Sequence, residues 1–393
     1  MIANIQHRST YERGFTLIEV MVALVVGIIS MVVVLQTFSA SENTKRTATG
    51  GDDAQMAGAL GLFQIERDLN QAGYGISAPG LLNCSLTLTA AGGSKVITLA
   101  PITINPATTL VPAGDANTDT LLITYGNSLG PTEGDLIDQQ ISTTVYAMQS
   151  ASGWSKNDYV AVVQKPPTSI TPTMTPTCSG AKIDKITALP TSGNANVTVA
   201  SGVAGLAANS YILYDMGQAP VIVAYRVFNG SLTSCNYMAA DCSNASNYSE
   251  VSGNISSLRA VYGHDGNAGN MNGVVDTWDQ TTPSTVCGWI RTSAVSVVLA
   301  ARNNALVTTA ANSNNGTFSG TAVTTSSPVW QEPIWSAGTL TWAGSTATSV
   351  SIDLSGNVGL PSGTTWQNYR YKLYPTVVPL RNITSMGVVS TCN

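Results

Sequence analysis

Charged side chains are scarce in this chain. Asp, Glu, Lys and Arg make up 10% of its 393 residues, against about 25% in an ordinary soluble domain. The net charge is −5, and the nearest basic group, Arg370, Lys372 and Arg381, is sparse. Binding of nucleic acid through its phosphates needs Lys and Arg gathered on one face, so no nucleic-acid partner is expected. Histidine is rarer still, at two residues, His7 and His264. G-x-S-x-G, P-loop and H-E-x-x-H patterns are all missing, which removes the common local signatures of hydrolases, nucleotide-binding enzymes and zinc peptidases. A Ser-His-Asp triad would have to use His264, and its neighbour Asp265 is no argument, because triads assemble in space. No enzyme is expected.

Few charges do not mean disorder here. Hydrophobic residues reach 44%, enough for a sizeable core, and Ser, Thr, Asn and Gly supply a neutral polar surface. The length suits two average domains or one large β-rich one.

The six cysteines, Cys84, Cys178, Cys235, Cys242, Cys287 and Cys392, show no C-x-x-C spacing, which argues against zinc ribbons and dithiol redox sites. In an oxidising compartment an even set would pair. Cys235 and Cys242 are the close pair and are expected to close a small loop. The partners of the other four stay open, as does their being buried thiols.

Residues 1–14 are polar, with Arg8 and Arg13 on the basic side. From Phe15 to Leu35 the chain turns apolar for about 21 residues, which as a helix reaches roughly 30 Å, one hydrocarbon core. No A-x-A site follows this run, unlike a secretory signal. Glu19 sits inside it. A carboxylate there is costly in a membrane, so it either reaches the headgroup region near the helix start or meets a positive group on a neighbouring chain.

Gly14-Phe15-Thr16-Leu17-Ile18-Glu19 resembles the type IV prepilin signature of pilins and type II secretion pseudopilins. The resemblance implies that a prepilin peptidase cuts between Gly14 and Phe15 and methylates the new amine. It also implies that Glu19 attracts the cationic N-terminus of an adjacent subunit during assembly. Removal of the leader, with Arg8, Glu12 and Arg13, would bring the net charge to −6 and leave His264 as the last histidine.

Met56, Leu60 and Phe63 recur at helical spacing, extended by Ile65, Leu69 and Ala72. Glu66, Arg67 and Asp68 are read as the polar side. The apolar stripe is expected to lie against a sheet, with Gly50-Gly51 bending or interrupting the helix and Gly73 and Gly75 ending it. From about residue 81 the pattern predicts strands: Thr120–Tyr125, Tyr159–Gln164, Tyr211–Tyr214, Val221–Phe228, Leu258–Tyr262, Ala294–Ala301 and Ser349–Leu354. Asn229-Gly230 reads as a tight hairpin turn. Residues 165–177 read as a Pro/Thr-rich extended connector. Residues 303–347 read as an insertion whose Trp330, Trp335 and Trp342 either pack it onto the body, the favoured reading, or anchor a partner.

Further segments resemble PilW-type minor pilins: Glu66-Arg67-Asp68-Leu69 to Ala72-Gly73-Tyr74, Val261-Tyr262-Gly263, Ile290-Arg291-Thr292, and Tyr369-Arg370-Tyr371 through Val378-Pro379-Leu380-Arg381-Asn382. The family implies a subunit that helps prime the pilus near its tip. It implies other minor pilins, the major pilin, prepilin peptidase and a PilY-type adhesin as partners. It implies a single pass through the bacterial inner membrane with the C-terminal region in the periplasm, then the pilus or cell surface. A tip adhesin or receptor, or a secretion pseudopilin of the J type, is the alternative. The expected fold is α+β, a long N-terminal helix on antiparallel sheet with an enlarged β-rich C-terminal region. The expected division is 1–14 leader, 15–37 membrane or filament-core helix, 38–76 amphipathic continuation and 77–393 globular domain.

One loop offers oxygen ligands for calcium: Asp265, Asn267, Asn270, Asn272, Asp276 and Asp279. Its Asn-x-Asn-Gly-x-x-Asp run partly resembles an EF-hand loop. Asparagines lower its charge, and Ala268 stands where the loop would open. A plain Asn/Gly-rich loop without an ion is the favoured reading.

Overall fold

Leu17 to Gln71 form one continuous α-helix of 55 residues. The computed structural model describes residues 14–90, 93–130, 133–150, 152–178, 180–189, 194–266, 271–304, 329–331, 334–336, 339–341, 349–356, 359–360, 364–384 and 392. Gly50 and Gly51 do not interrupt the helix: glycine costs an exposed helix only about 1 kcal/mol, and long helical runs on either side bridge the pair. The chain falls into two units, Met1–Asp52 and Asp53–Asn393.

The second unit is built on three main sheets. An eight-stranded sheet has the order Gly93–Thr98, Ser85–Ala90, Lys182–Ala188, Tyr159–Gln164, Tyr211–Gly217, Asp135–Ser142, Val145–Met148, Asn196–Val199. A five-stranded sheet runs Ser249–Ser252, Ser231–Asn236, Val221–Phe228, Leu121–Tyr125, Ile102–Ile104. A four-stranded sheet runs Thr277–Asp279, Ile255–His264, Thr292–Arg302, Tyr371–Pro379. All ladders are antiparallel except Ser85–Ala90 on Lys182–Ala188. The class is α+β.

Side-chain alternation explains the layering. In the five-stranded sheet Ile123, Tyr125, Val223 and Tyr225 join a core with Ile65 and Leu69 of the helix. The intervening Leu122, Ile222 and Ala224 join another with Leu86, Ala161 and Tyr214 of the eight-stranded sheet. A period of two thus buries both faces of this sheet, with the helix on one side and the second sheet on the other. The four-stranded sheet shares the helix-side core through Leu258, Val297 and Leu299.

Asn229 and Gly230 have φ of 53° and 73°, and Phe228 pairs with Ser231. Both turn residues are left-handed, the geometry a two-residue hairpin needs. Residues 165–177 hold no strand or helix. They are not a loose connector, because Met174 is buried and its carbonyl accepts from Val286 N at 3.1 Å.

Candidate functional site

The helix opens on a reciprocal cap. Thr16 N and Thr16 Oγ1 each donate to Glu19 Oε2 at 3.2 Å, and Glu19 N donates to Thr16 Oγ1 at 3.3 Å. This T-x-x-E arrangement is a capping box. A carboxylate in the first turn also faces the positive end of the helix dipole. Glu19 is therefore a local cap as well as an ionisable group in an apolar run, a role signalled by the Thr16-to-Glu19 spacing but missed in reading the residues. Within Leu17–Glu42 an 18-residue stretch has mean hydropathy 2.9, none of it buried; at about 1.5 Å per residue the span is long enough to cross a bilayer core. Two of its hydroxyls bond back to the helix: Ser30 Oγ donates to Val26 O at 2.8 Å, and Thr37 Oγ1 to Val34 O at 2.9 Å. Such back-bonding spares these two hydroxyls an unpaired exposure to hydrocarbon.

In the second unit the helix shows its small residues to the sheets. Ala54, Gly58, Gly61, Ile65, Leu69 and Ala72 are buried, one face at 3.6-residue spacing. A Cβ at Gly58 would collide with the Tyr374 ring, and one at Gly61 would stand 3.1 Å from Leu232 and from Leu299. Glycine here sets how closely helix and sheet approach. The expected stripe is half right: Ile65, Leu69 and Ala72 pack against the sheets, whereas Met56, Leu60 and Phe63 are 75%, 51% and 64% exposed. The physical reason is distance, since large side chains would hold the helix away from Tyr374.

Asp68 is a second correction. It lies on the packed face, 2% exposed, rather than on the polar side. Tyr225 OH donates to its Oδ2 at 2.6 Å and Tyr125 OH to its Oδ1 at 3.1 Å, and Arg67 Nη2 approaches Oδ1 at 3.2 Å. Burial, reinforced by this carboxylate, pushes both tyrosine hydroxyls well above their ordinary range. At its far end the helix is closed by Asn382, whose Nδ2 donates to Gln71 O at 3.1 Å and Ala72 O at 3.0 Å. Gly73, at φ 83°, then turns the chain away.

The loop after His264 spends its carboxylates on its own backbone. Asp265 Oδ2 accepts from Asn272 N and Gly273 N, both at 2.8 Å. Asp276 Oδ2 accepts from Gly266 N at 2.9 Å, and Asp279 Oδ1 from Thr281 N at 2.7 Å. Asn272 Oδ1 accepts from Val274 N at 2.8 Å. His264 Nε2 stands 3.4 Å from Asp279 Oδ1. Asn267 and Asn270 lie outside the described residues, as do Trp342 and the indoles of Trp330 and Trp335. Among the described residues no group of three His, Cys, Asp or Glu side chains is placed to hold a metal.

The cysteines are joined as Cys84–Cys178, Cys235–Cys242 and Cys287–Cys392. The first ties the eight-stranded sheet to the Pro/Thr-rich segment. The last ties the short helix Val286–Ile290 to the end of the chain.

Two other buried carboxylates flank the eight-stranded sheet. Asp215 accepts from Ser128 Oγ at 2.5 Å and Gly217 N at 2.8 Å, and Asp158 from Ser155 N at 2.8 Å. Burial raises both above the ordinary value of 3.8, and for Asp158 the neighbouring Asp215 adds to it. A carboxyl raised in the folded state lends stability that is fully present below the unfolded value and lost as pH rises through the folded one. Asp215→Asn should therefore melt higher than the parent at neutral pH, with the difference shrinking as pH falls toward about 4. A melting difference independent of pH would contradict this.

The family model described as Type IV Pilus-assembly protein W matches residues 229–382, and the Prokaryotic N-terminal methylation motif matches residues 9–35. The first stretch runs from the Asn229-Gly230 turn through the whole four-stranded sheet to Asn382, which closes the helix. No curated protein and no solved structure matches the chain. Apolar helix, methylation motif and this sheet region together support a type IV minor pilin of the PilW family.

Proposed function

We propose that this subunit primes pilus assembly from a minor-pilin complex near the tip. Residues 1–14 are a leader removed between Gly14 and Phe15. Residues 15–37 hold the subunit in the inner membrane before assembly, the segment 38–76 continues as helix as far as Gln71, and 77–393 form a periplasmic domain later carried to the surface. Its partners are other minor pilins, the major pilin, the prepilin peptidase and a PilY-type adhesin. The observation that supports this best is Glu19, a carboxylate one turn into a wholly exposed apolar helix. Its cap partner Thr16 is neutral, so the charge is left for a cation. A methylated N-terminus on a neighbouring subunit supplies one, and in apolar surroundings such a pair is strong only when both members are present.

Deletion should leave few or no surface pili in electron micrographs, restored by the intact chain. Glu19→Ala should stay membrane-bound but fall about tenfold in sheared filaments, the equivalent of about 1.4 kcal/mol. Normal incorporation of that variant would remove the charge pairing. Normal pili on deletion would favour the adhesin or secretion readings, which attachment and export assays separate.

A further inference from the structure

Asparagine followed by glycine is the pair in which a backbone most readily attacks its own side chain. The glycine nitrogen loses its proton to solvent base and bonds to the asparagine Cγ, and the side-chain nitrogen leaves as ammonia. Water then opens the five-membered succinimide to aspartate or isoaspartate. Glycine favours the first step because it has no side chain to keep its nitrogen from Cγ. The chain holds three such pairs, Asn229-Gly230, Asn272-Gly273 and Asn315-Gly316. The first two lie among the described residues.

Those two pairs sit in different parts of the fold, a hairpin turn and the loop after His264, and they are held in the same way. Asp115 Oδ1 accepts from Asn229 N at 2.8 Å, and its Oδ2 from Gly230 N at 2.9 Å. Asp265 Oδ2 accepts from Asn272 N and Gly273 N, both at 2.8 Å. Both carboxylates are buried, at 8% and 2% exposure, whereas both asparagines are exposed. Water for the hydrolysis is therefore at hand, and ring closure is the step that can be stopped. As the glycine nitrogen loses its proton, negative charge develops there in hydrogen-bond contact with a carboxylate. Like charges so close repel, most strongly where burial limits screening. The nitrogen must also leave its acceptor to reach Cγ, which takes a donor from a buried carboxylate.

We infer that Asn229 and Asn272 are latent succinimide-forming sites, each held unreactive by one buried aspartate, Asp115 for the first and Asp265 for the second. The chemistry matters most at Asn229. Isoaspartate adds a carbon to the backbone, and a two-residue turn closed by the Phe228–Ser231 pair has no room for it. Aspartate there would set a second carboxylate beside Asp115.

Peptide mapping by mass spectrometry tests this on the full chain in detergent, kept warm at mildly alkaline pH. Asn229 and Asn272 should convert at least about tenfold more slowly than the same residues in short synthetic peptides, the equivalent of about 1.4 kcal/mol. Conversion of the parent at the peptide rate would overturn the inference without any variant. Asp115→Ala should speed conversion at Asn229 about tenfold and leave Asn272 slow, and Asp265→Ala should do the reverse. Each variant thus carries the other's site as its control for folding. Acceleration at both sites in either variant would show a general loosening in place of a local guard. Acceleration at neither would show that turn geometry protects without the carboxylate. Either result overturns the assignment.

Discussion

Asp68→Ala is expected to destabilise the second unit by about 3–6 kcal/mol, two charge-assisted hydrogen bonds at about 1.5–3 kcal/mol each. The carboxylate accepts from Tyr225 OH at 2.6 Å and Tyr125 OH at 3.1 Å. The two tyrosines are 0% and 6% exposed, so with Asp68 gone their hydroxyls lose their acceptor where water does not readily replace it. Arg67 is half exposed and adds little on its own. The reverse deletion is also costly: Tyr225→Phe leaves a buried carboxylate with one hydroxyl donor and should lose about 1.5–3 kcal/mol. Denaturant unfolding of the full chain in detergent, followed by tyrosine fluorescence, measures both. A loss under about 0.5 kcal/mol for Asp68→Ala, the range of ordinary surface substitutions, would show that these bonds do not hold helix to sheet.

Removing the Cys287–Cys392 bridge should be as severe. It joins residues 105 apart, and Cys84–Cys178 joins residues 94 apart. Loop-closure entropy assigns each about 4.7 kcal/mol. Cys235–Cys242 spans 7 residues and by the same reasoning contributes about 2.5 kcal/mol. The Cys287 bridge does more than close a loop. Arg291 Nε donates to Cys392 O at 2.8 Å, and Leu380 and Ile383 near the chain end belong to the helix-side core. Serine pairs at each bridge, compared by melting temperature, should rank Cys235/Cys242 as the mildest. If that pair were the most damaging, loop entropy would not be the governing effect.

Legibility followed the range of the forces involved. The apolar span, Glu19 and the Asn229-Gly230 turn are local facts. A membrane-length run or a two-residue turn with positive φ depends on residues within a few positions of each other, and those are written in order along the chain. Tyr159–Gln164 and Val221–Phe228 could be read to the residue, because β-branched and aromatic runs have few other uses. Cys235 and Cys242 could be joined because the chain between them is short.

Other features depended on residues far away. Helical periodicity marked apolar positions between 56 and 72 but could not say which face the sheets would take. That was decided by Tyr374, Leu232 and Leu299, which close on Gly58 and Gly61 from more than 170 residues away. Asp68 looked polar and therefore external until two tyrosine hydroxyls, 57 and 157 positions distant, made burial tolerable. The long bridges and the strand order were likewise set by which surfaces met. The sequence alone determined the membrane-length helix with its carboxylate and the strand-rich character of the chain beyond residue 80. Only the tertiary structure decided which side of that helix the protein keeps for itself, because burial is settled by shape at close approach, and shape belongs to both partners.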